Sequence, residues 1–139
     1  MSTVIRAEIS TKNKYWISRH RYYELKHFCL QYPEWAKIYL TLDGFNRSNS
    51  NLDKILASTH YSDPTAKCAI ARAFYSERIK LIERIAIETD SELAIYILKG
   101  VTEGLSYEYL KARLDIPCCR DTYYDRYRRF FWLLSKSRN

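Results

Sequence analysis

EGLSYEYLKARLDIPCCRDTYYDRYRRFFWLL, residues 103–134, alternates helix stops and starts at close spacing. Glu103-Gly104 ends one helix, because glycine adopts the left-handed backbone that closes a helix without a Cβ penalty. Ser106 offers a side-chain oxygen to cap the next, a short helix through Arg113. Asp115-Ile116-Pro117 makes a turn, since proline disfavours helical backbone at the residue before it. A final helix of about sixteen residues then starts near Asp121. A glycine-ended helix, a capped short helix, a turn and a longer helix is the layout of a helix-turn-helix.

Along the last helix Tyr123, Tyr127, Phe130, Phe131 and Leu134 share one face and are placed to pack on Leu110, Leu114 and Ile116. The opposite face carries Asp121, Tyr124, Asp125 and Arg128, with Arg120 at the helix entrance and Arg126 and Arg129 on the flanks. These seven residues suit double-stranded DNA. Arginine pairs bidentately with guanine edges, tyrosine bonds phosphate or touches a thymine methyl, and aspartate accepts from cytosine. Backbone amides at the two helix starts would add phosphate contacts. From Lys111 to Asn139 there are eight Lys and Arg against three Asp, a surplus of five out of the chain's seven, so the charge is localised.

Outward from this segment the helical punctuation continues. Thr89-Asp90-Ser91 offers a cap for the helix that carries Leu93, Ile95, Tyr96, Leu98 and Val101. Before it, Asp63 and Pro64 start a long helix to about Glu88, with Ile70, Phe74, Leu81 and Ile85 in one stripe flanked by Ala66, Ala69 and Ala73. Such a helix forms the spine of a small domain or, if exposed, a dimer seam. Ser18 caps a first helix with Tyr22, Leu25, Phe28, Cys29 and Tyr32 inward, closed by Pro33. A second short helix faces Trp35, Ile38, Tyr39 and Leu42 inward and ends at Asp43-Gly44. Residues 46–51 read as a loop, 52–57 as a short apolar segment, and 1–13 as a loose leader. The expected organisation is that leader, a helical region over 14–89 and a helix-turn-helix region over 90–139.

Composition agrees with an all-α class: 139 residues hold only three glycines and three prolines. A net charge of +7 favours polyanionic partners. The absence of a long apolar run or a signal-peptide core argues against a membrane partner and for the cytoplasm. Cys29, Cys68, Cys118 and Cys119 include no CxxC pair, and His20, His27 and Cys29 lack a fourth neighbour, so no metal or cofactor is expected. No phosphate loop or paired base and nucleophile appears, which points away from an enzyme.

EGLSYEYL, with the turn and final helix after it, resembles the promoter-reading fourth region of bacterial sigma factors. CRDTYYDRYRRFFWLL is similar to the recognition helix of phage regulators of the ArpU and RinA type, small proteins that control late genes of Gram-positive phages and prophages. The likeness covers about Ser91 to Trp132, while YWISRHRYYELKHFCLQYPEW also looks like small phage proteins with this ending. The resemblance implies a sequence-specific transcriptional regulator in a bacterial host, with host RNA polymerase or a second copy of the chain as further partners. Carried over by position, it gives base reading to Arg120, Asp121, Tyr124, Asp125 and Arg128, and packing to Leu110, Ile116, Tyr123 and Tyr127. This chain departs from the pattern at Asp115, where glycine is usual, and at Cys119, where serine is common, which makes Asp121 an alternative cap. Asp125 adds a negative charge to the groove face. Other roles that suit the same surface are inhibition of a host nucleic-acid enzyme or defence complex by direct binding, and a packaging subunit in a ring assembly.

Overall fold

A computed structural model describes residues 12–42 and 64–138, and among these the chain is helical with no strand. The helices are α1 (Arg19–Leu30), α2 (Tyr32–Leu40), α3 (Pro64–Thr89), α4 (Ala94–Glu103), α5 (Tyr107–Leu114) and α6 (Arg120–Ser137). The all-α expectation therefore holds, long helix included. No described helix is long and apolar enough to cross a membrane. The expected stop at Asp43-Gly44, the loop, the short apolar segment, the Asp63 cap and residues 1–11 of the leader lie outside the described residues.

The described chain falls into two compact units, residues 12–31 with 82–138, and residues 32–42 with 64–81. In the first unit α1 packs on α4 and α6, and α4 and α5 also pack on α6. Ser18 caps α1, its hydroxyl accepting from the Arg21 amide at 3.4 Å, and Tyr22, Leu25, Phe28 and Cys29 are buried as their spacing requires. From α6, Tyr123, Tyr124, Tyr127, Phe130, Phe131 and Leu134 turn into the same core. Phe131 meets Tyr22 edge-on at 5.2 Å and Tyr127 at 5.0 Å. Two phenols deep in this cluster would be costly if unpaired; the Tyr22 and Tyr127 hydroxyls instead share a hydrogen bond at 2.6 Å. Burial, with Tyr22 beside it, pushes the Tyr127 hydroxyl far above its ordinary value.

The far end of α6 is held by α1. Arg21 donates from Nε to the Ser135 hydroxyl at 3.0 Å, and from Nη2 to the carbonyls of Ser135, at 2.9 Å, and Arg138. A cation on the last carbonyls satisfies acceptors that the helix cannot and suits its dipole. The segment before α1 also packs on this helix: Tyr15 lies against Trp132, ring centroids 5.4 Å apart, and Tyr15 and Ile17 are buried.

In the second unit α2 buries Trp35, Leu42 beyond its end is buried, and Ile38 and Tyr39 are half-buried. The stripe expected on α3 is only partly covered. Ile70 and Phe74 are each 45 % exposed, and the Phe74 ring carries the Arg78 guanidinium at 3.5 Å. The buried side chains of α3 are Ile82, Ile85, Ala86 and Thr89, all in the last turns that belong to the first unit. An apolar period shows that a helix has two faces, without saying how far along its length a core reaches.

Candidate nucleic-acid interface

The helix, turn and helix at residues 107–137 are built from local signals and two tyrosine bridges. Gly104 ends α4 with a left-handed backbone (φ 70°), and the Ser106 hydroxyl caps α5 by accepting from the Tyr109 amide at 3.2 Å. Asp115 ends α5, also left-handed, at φ 54° and ψ 49°. Aspartate tolerates this region better than most side chains do, so the position expected to want glycine keeps its geometry. The amides of Asp115 and Ile116 both close on the Leu110 carbonyl, the second at 3.3 Å. Lys111 covers the turn, its Nζ 3.4 Å from the Ile116 carbonyl and 3.7 Å from the Asp115 carboxylate. Buried Leu110 and Ile116 seat the turn in the core, and the Tyr107 hydroxyl donates to the Cys118 carbonyl at 2.6 Å.

Of the seven expected contact residues, Arg120 and Asp121 are exposed at the start of α6. Arg120 pairs with Glu108 of α5 and lies over the Tyr124 ring, 5.4 Å from its centroid. Tyr124 is not on the open face. It is 6 % exposed, and its hydroxyl accepts from the Tyr107 amide at 3.2 Å. That amide is one of the first N–H groups of α5, which no carbonyl within the helix can reach, so Tyr124 is used up in satisfying it. Arg126 is likewise a structural clip: its Nε donates to Asp90 at 2.9 Å and its Nη1 to Asp125 at 2.5 Å. The second of these bonds also occupies Asp125, which is half-buried.

In the segment expected to cap α4, Asp90 accepts from the amides of Glu92 at 3.0 Å and Leu93 at 3.2 Å, in the turn that leads to Leu93 at the N-cap position. Burial pushes the Asp90 carboxyl up, but Arg126 and those amides outweigh it and hold the group below its ordinary value. Arg129 donates to the Tyr15 hydroxyl at 3.4 Å and opens on a cleft of about 300 Å³ lined with Tyr15, Thr89, Asp90 and Arg126. Arg128 is half-buried, its Nε without a hydrogen-bond partner. Among the described residues no carboxylate forms an ion pair with Arg113, Arg128 or Arg129.

Cys119 occupies the N-cap position with extended backbone (φ −83°, ψ 169°), and Asp121 lies inside the helix. The Cys119 sulfur sits 3.2 Å from the Thr122 hydroxyl, which, with the amides of Thr122 and Asp121, draws the thiol below its ordinary value. Burial pushes its neighbour Cys118 up. Among the described residues no group of three His, Cys, Asp or Glu side chains is arranged to hold a metal ion.

Sequence reasoning gave no part to Glu108, Tyr107 or Tyr15, and gave Asp90 only a place in a helix cap. Tyr107 and Glu108 carried a faint signal, being the first residues after a cap and facing the turn; the partnerships of Asp90 and Tyr15 span 36 and 114 residues and had none. No known protein-family pattern, curated protein or solved structure matches the chain.

Proposed function

We propose that the first unit binds double-stranded DNA in a sequence-specific way, with the start of α6 in the major groove, as a transcriptional regulator encoded by a phage or prophage. One observation carries the reading: α6 leaves its first turn exposed at Arg120 and Asp121, while Tyr123 and Tyr124 behind them are buried and anchored. A helix fixed along its length with a polar leading end is what groove insertion requires. Arg120 then reads a base edge, Asp121 and Asp125 are placed to accept from cytosine, and Arg128 flanks the same groove. Arg113 and Arg129 hold phosphates, together with the uncapped amides at the start of α6. Tyr124 and Arg126 keep the frame and touch no DNA. Contact with host RNA polymerase, or pairing of two copies on two half-sites, belongs to the same proposal.

The test is selection of duplexes from a random pool at roughly physiological salt, beside an Arg120/Asp121/Arg128 triple-alanine variant checked for native helicity. A sequence enriched by the native protein and lost in the variant supports the reading. Arg128→Ala alone should cost about 1–3 kcal/mol of specific affinity and relax one base position. A second reading, direct inhibition of a host nucleic-acid enzyme, draws on the ion pairs that neutralise Arg120 and Lys111 on this surface. It expects binding that changes little with salt, whereas phosphate contacts make DNA affinity fall steeply.

A further inference from the structure

Arg120 is the exposed cation at the start of α6, yet it is not free. Glu108 holds its guanidinium from α5, the Tyr124 ring lies beneath it at 5.4 Å, and the Tyr124 hydroxyl is itself fixed by the Tyr107 amide at 3.2 Å. The two charged side chains are 47 % and 58 % exposed. An ion pair in so much water contributes little to stability, because solvent screens it and two long side chains must be ordered to make it. What it can do is orient. An arginine sweeping through its rotamers meets any phosphate, while one held in a single plane offers its fork to a guanine edge in one direction. The Glu108 carboxylate also sets a negative charge beside Arg120, and a fixed negative charge on a DNA-facing surface weakens binding that has no base contact to offset it.

We infer that Glu108 is the discrimination residue of this surface: a positioning residue that aims Arg120 at one base edge and repels duplexes that do not offer that base. The inference rests on the DNA-binding reading and adds to it a residue that touches no base.

The experiment compares the selected duplex with an unrelated duplex of equal length, over a range of salt, for the native chain, Glu108→Gln, Arg120→Ala and the double variant. Glu108→Gln should melt where the native chain does. It should bind the unrelated duplex about three- to tenfold more tightly, with a salt slope steeper by about 0.9, as the released Arg120 neutralises one more phosphate. The selected duplex should gain much less, so the ratio between the two falls, and selection with Glu108→Gln should blur the base position that Arg120→Ala also blurs. In the Arg120→Ala background, Glu108→Gln should change that base preference no further. A ratio within about twofold of native, or an equal effect of Glu108→Gln with and without Arg120, overturns the role of Glu108 and leaves DNA binding standing. Failure of the folded native chain to enrich any duplex overturns the DNA-binding reading itself, and Glu108 with it.

Discussion

The two ends of α6 are built for opposite purposes. From Tyr127 onward one side of the helix is enclosed: Tyr22 packs on it, Phe131 packs from it, Arg21 covers its last carbonyls, and Tyr15 lies on Trp132. At its start Arg120 and Asp121 face solvent, and the ties are the two tyrosine bridges to α5 and the turn. The enclosed side leaves Arg128 and Arg129 on its flank for a ligand, and its packing aims the open half. The largest expected effect tests this division. Phe131→Ala should cost about 3–5 kcal/mol in denaturant unfolding, because it empties a site that is fully buried between Tyr22, Tyr127 and Phe130. Asp121→Ala should stay within about 0.5 kcal/mol of native. Equal losses would mean that the start of α6 is part of the core and that no open half exists.

The next effect lies where the enclosed side presses on α4. Gly100 sits mid-helix, where alanine is ordinarily better by about 1 kcal/mol. Here a Cβ would run into the hydroxyl oxygen of Tyr123, which is buried and has no hydrogen-bond partner. The next ring atom, Cζ, is 3.4 Å away and would be an ordinary neighbour. Gly100→Ala should therefore destabilise by about 1–3 kcal/mol through overpacking. In a Tyr123→Phe background the same change should be neutral or stabilising, and Tyr123→Phe alone should cost little, since an unsatisfied hydroxyl is lost. An additive double-mutant cycle would show that the two groups do not meet.

Gly100 and Gly104 also mark what the sequence discloses. Gly104 was legible because a helix stop is a local event: a glycine after an apolar run, then a serine cap, needs no knowledge of the rest of the fold. Ser18, Ser106 and the left-handed Asp115 were legible for the same reason, and the all-α class followed from them. Gly100 was opaque, as its reason is a tyrosine 23 positions along that only tertiary packing brings to it. The candidate site divides likewise. The helical wheel puts Arg120 and Asp121 on a face that is exposed, but it puts Tyr124, which is buried, on the same face and does not show that Arg126 is paired, because a wheel gives direction and not partners. Tyr124 is recruited by an amide of α5, and Arg126 by a carboxylate in the turn before α4.

That carboxylate gives a smaller effect with a defined pH dependence. Because the folded-state pKa of Asp90 is depressed, its contribution is present above the unfolded carboxylate value, about 3.9, and is lost as pH falls through the lower folded value. Asp90→Asn should cost about 1–2 kcal/mol near neutral pH and remove part of the chain's loss of stability in acid. Arg126→Ala should lower stability by a similar amount. A variant that stayed fully stable and lost affinity for every duplex alike would return Arg126 to the DNA-contacting group.

The smallest effect probes the open end directly. Cys119 holds the N-cap position of α6 without a side-chain cap on the helix amides in their ordinary geometry, and Asp121 sits too far inside to supply one. Serine at a cap accepts from these amides better than most residues, so Cys119→Ser should raise stability by about 0.5 kcal/mol, while Asp121→Ser should not. If Asp121 were the cap, Asp121→Ala would be the costly change and Cys119→Ser would do nothing. The native thiol supplies an independent reading of the same geometry. Drawn down by Thr122 and exposed, Cys119 should be alkylated at about pH 7 well before Cys29, whose thiol is buried and pushed far up. Thr122→Val should slow that reaction without touching the enclosed half. An unchanged rate would show that the thiol owes its reactivity to exposure alone, and that the first turn of α6 is ordered by its anchored tyrosines rather than by its cap.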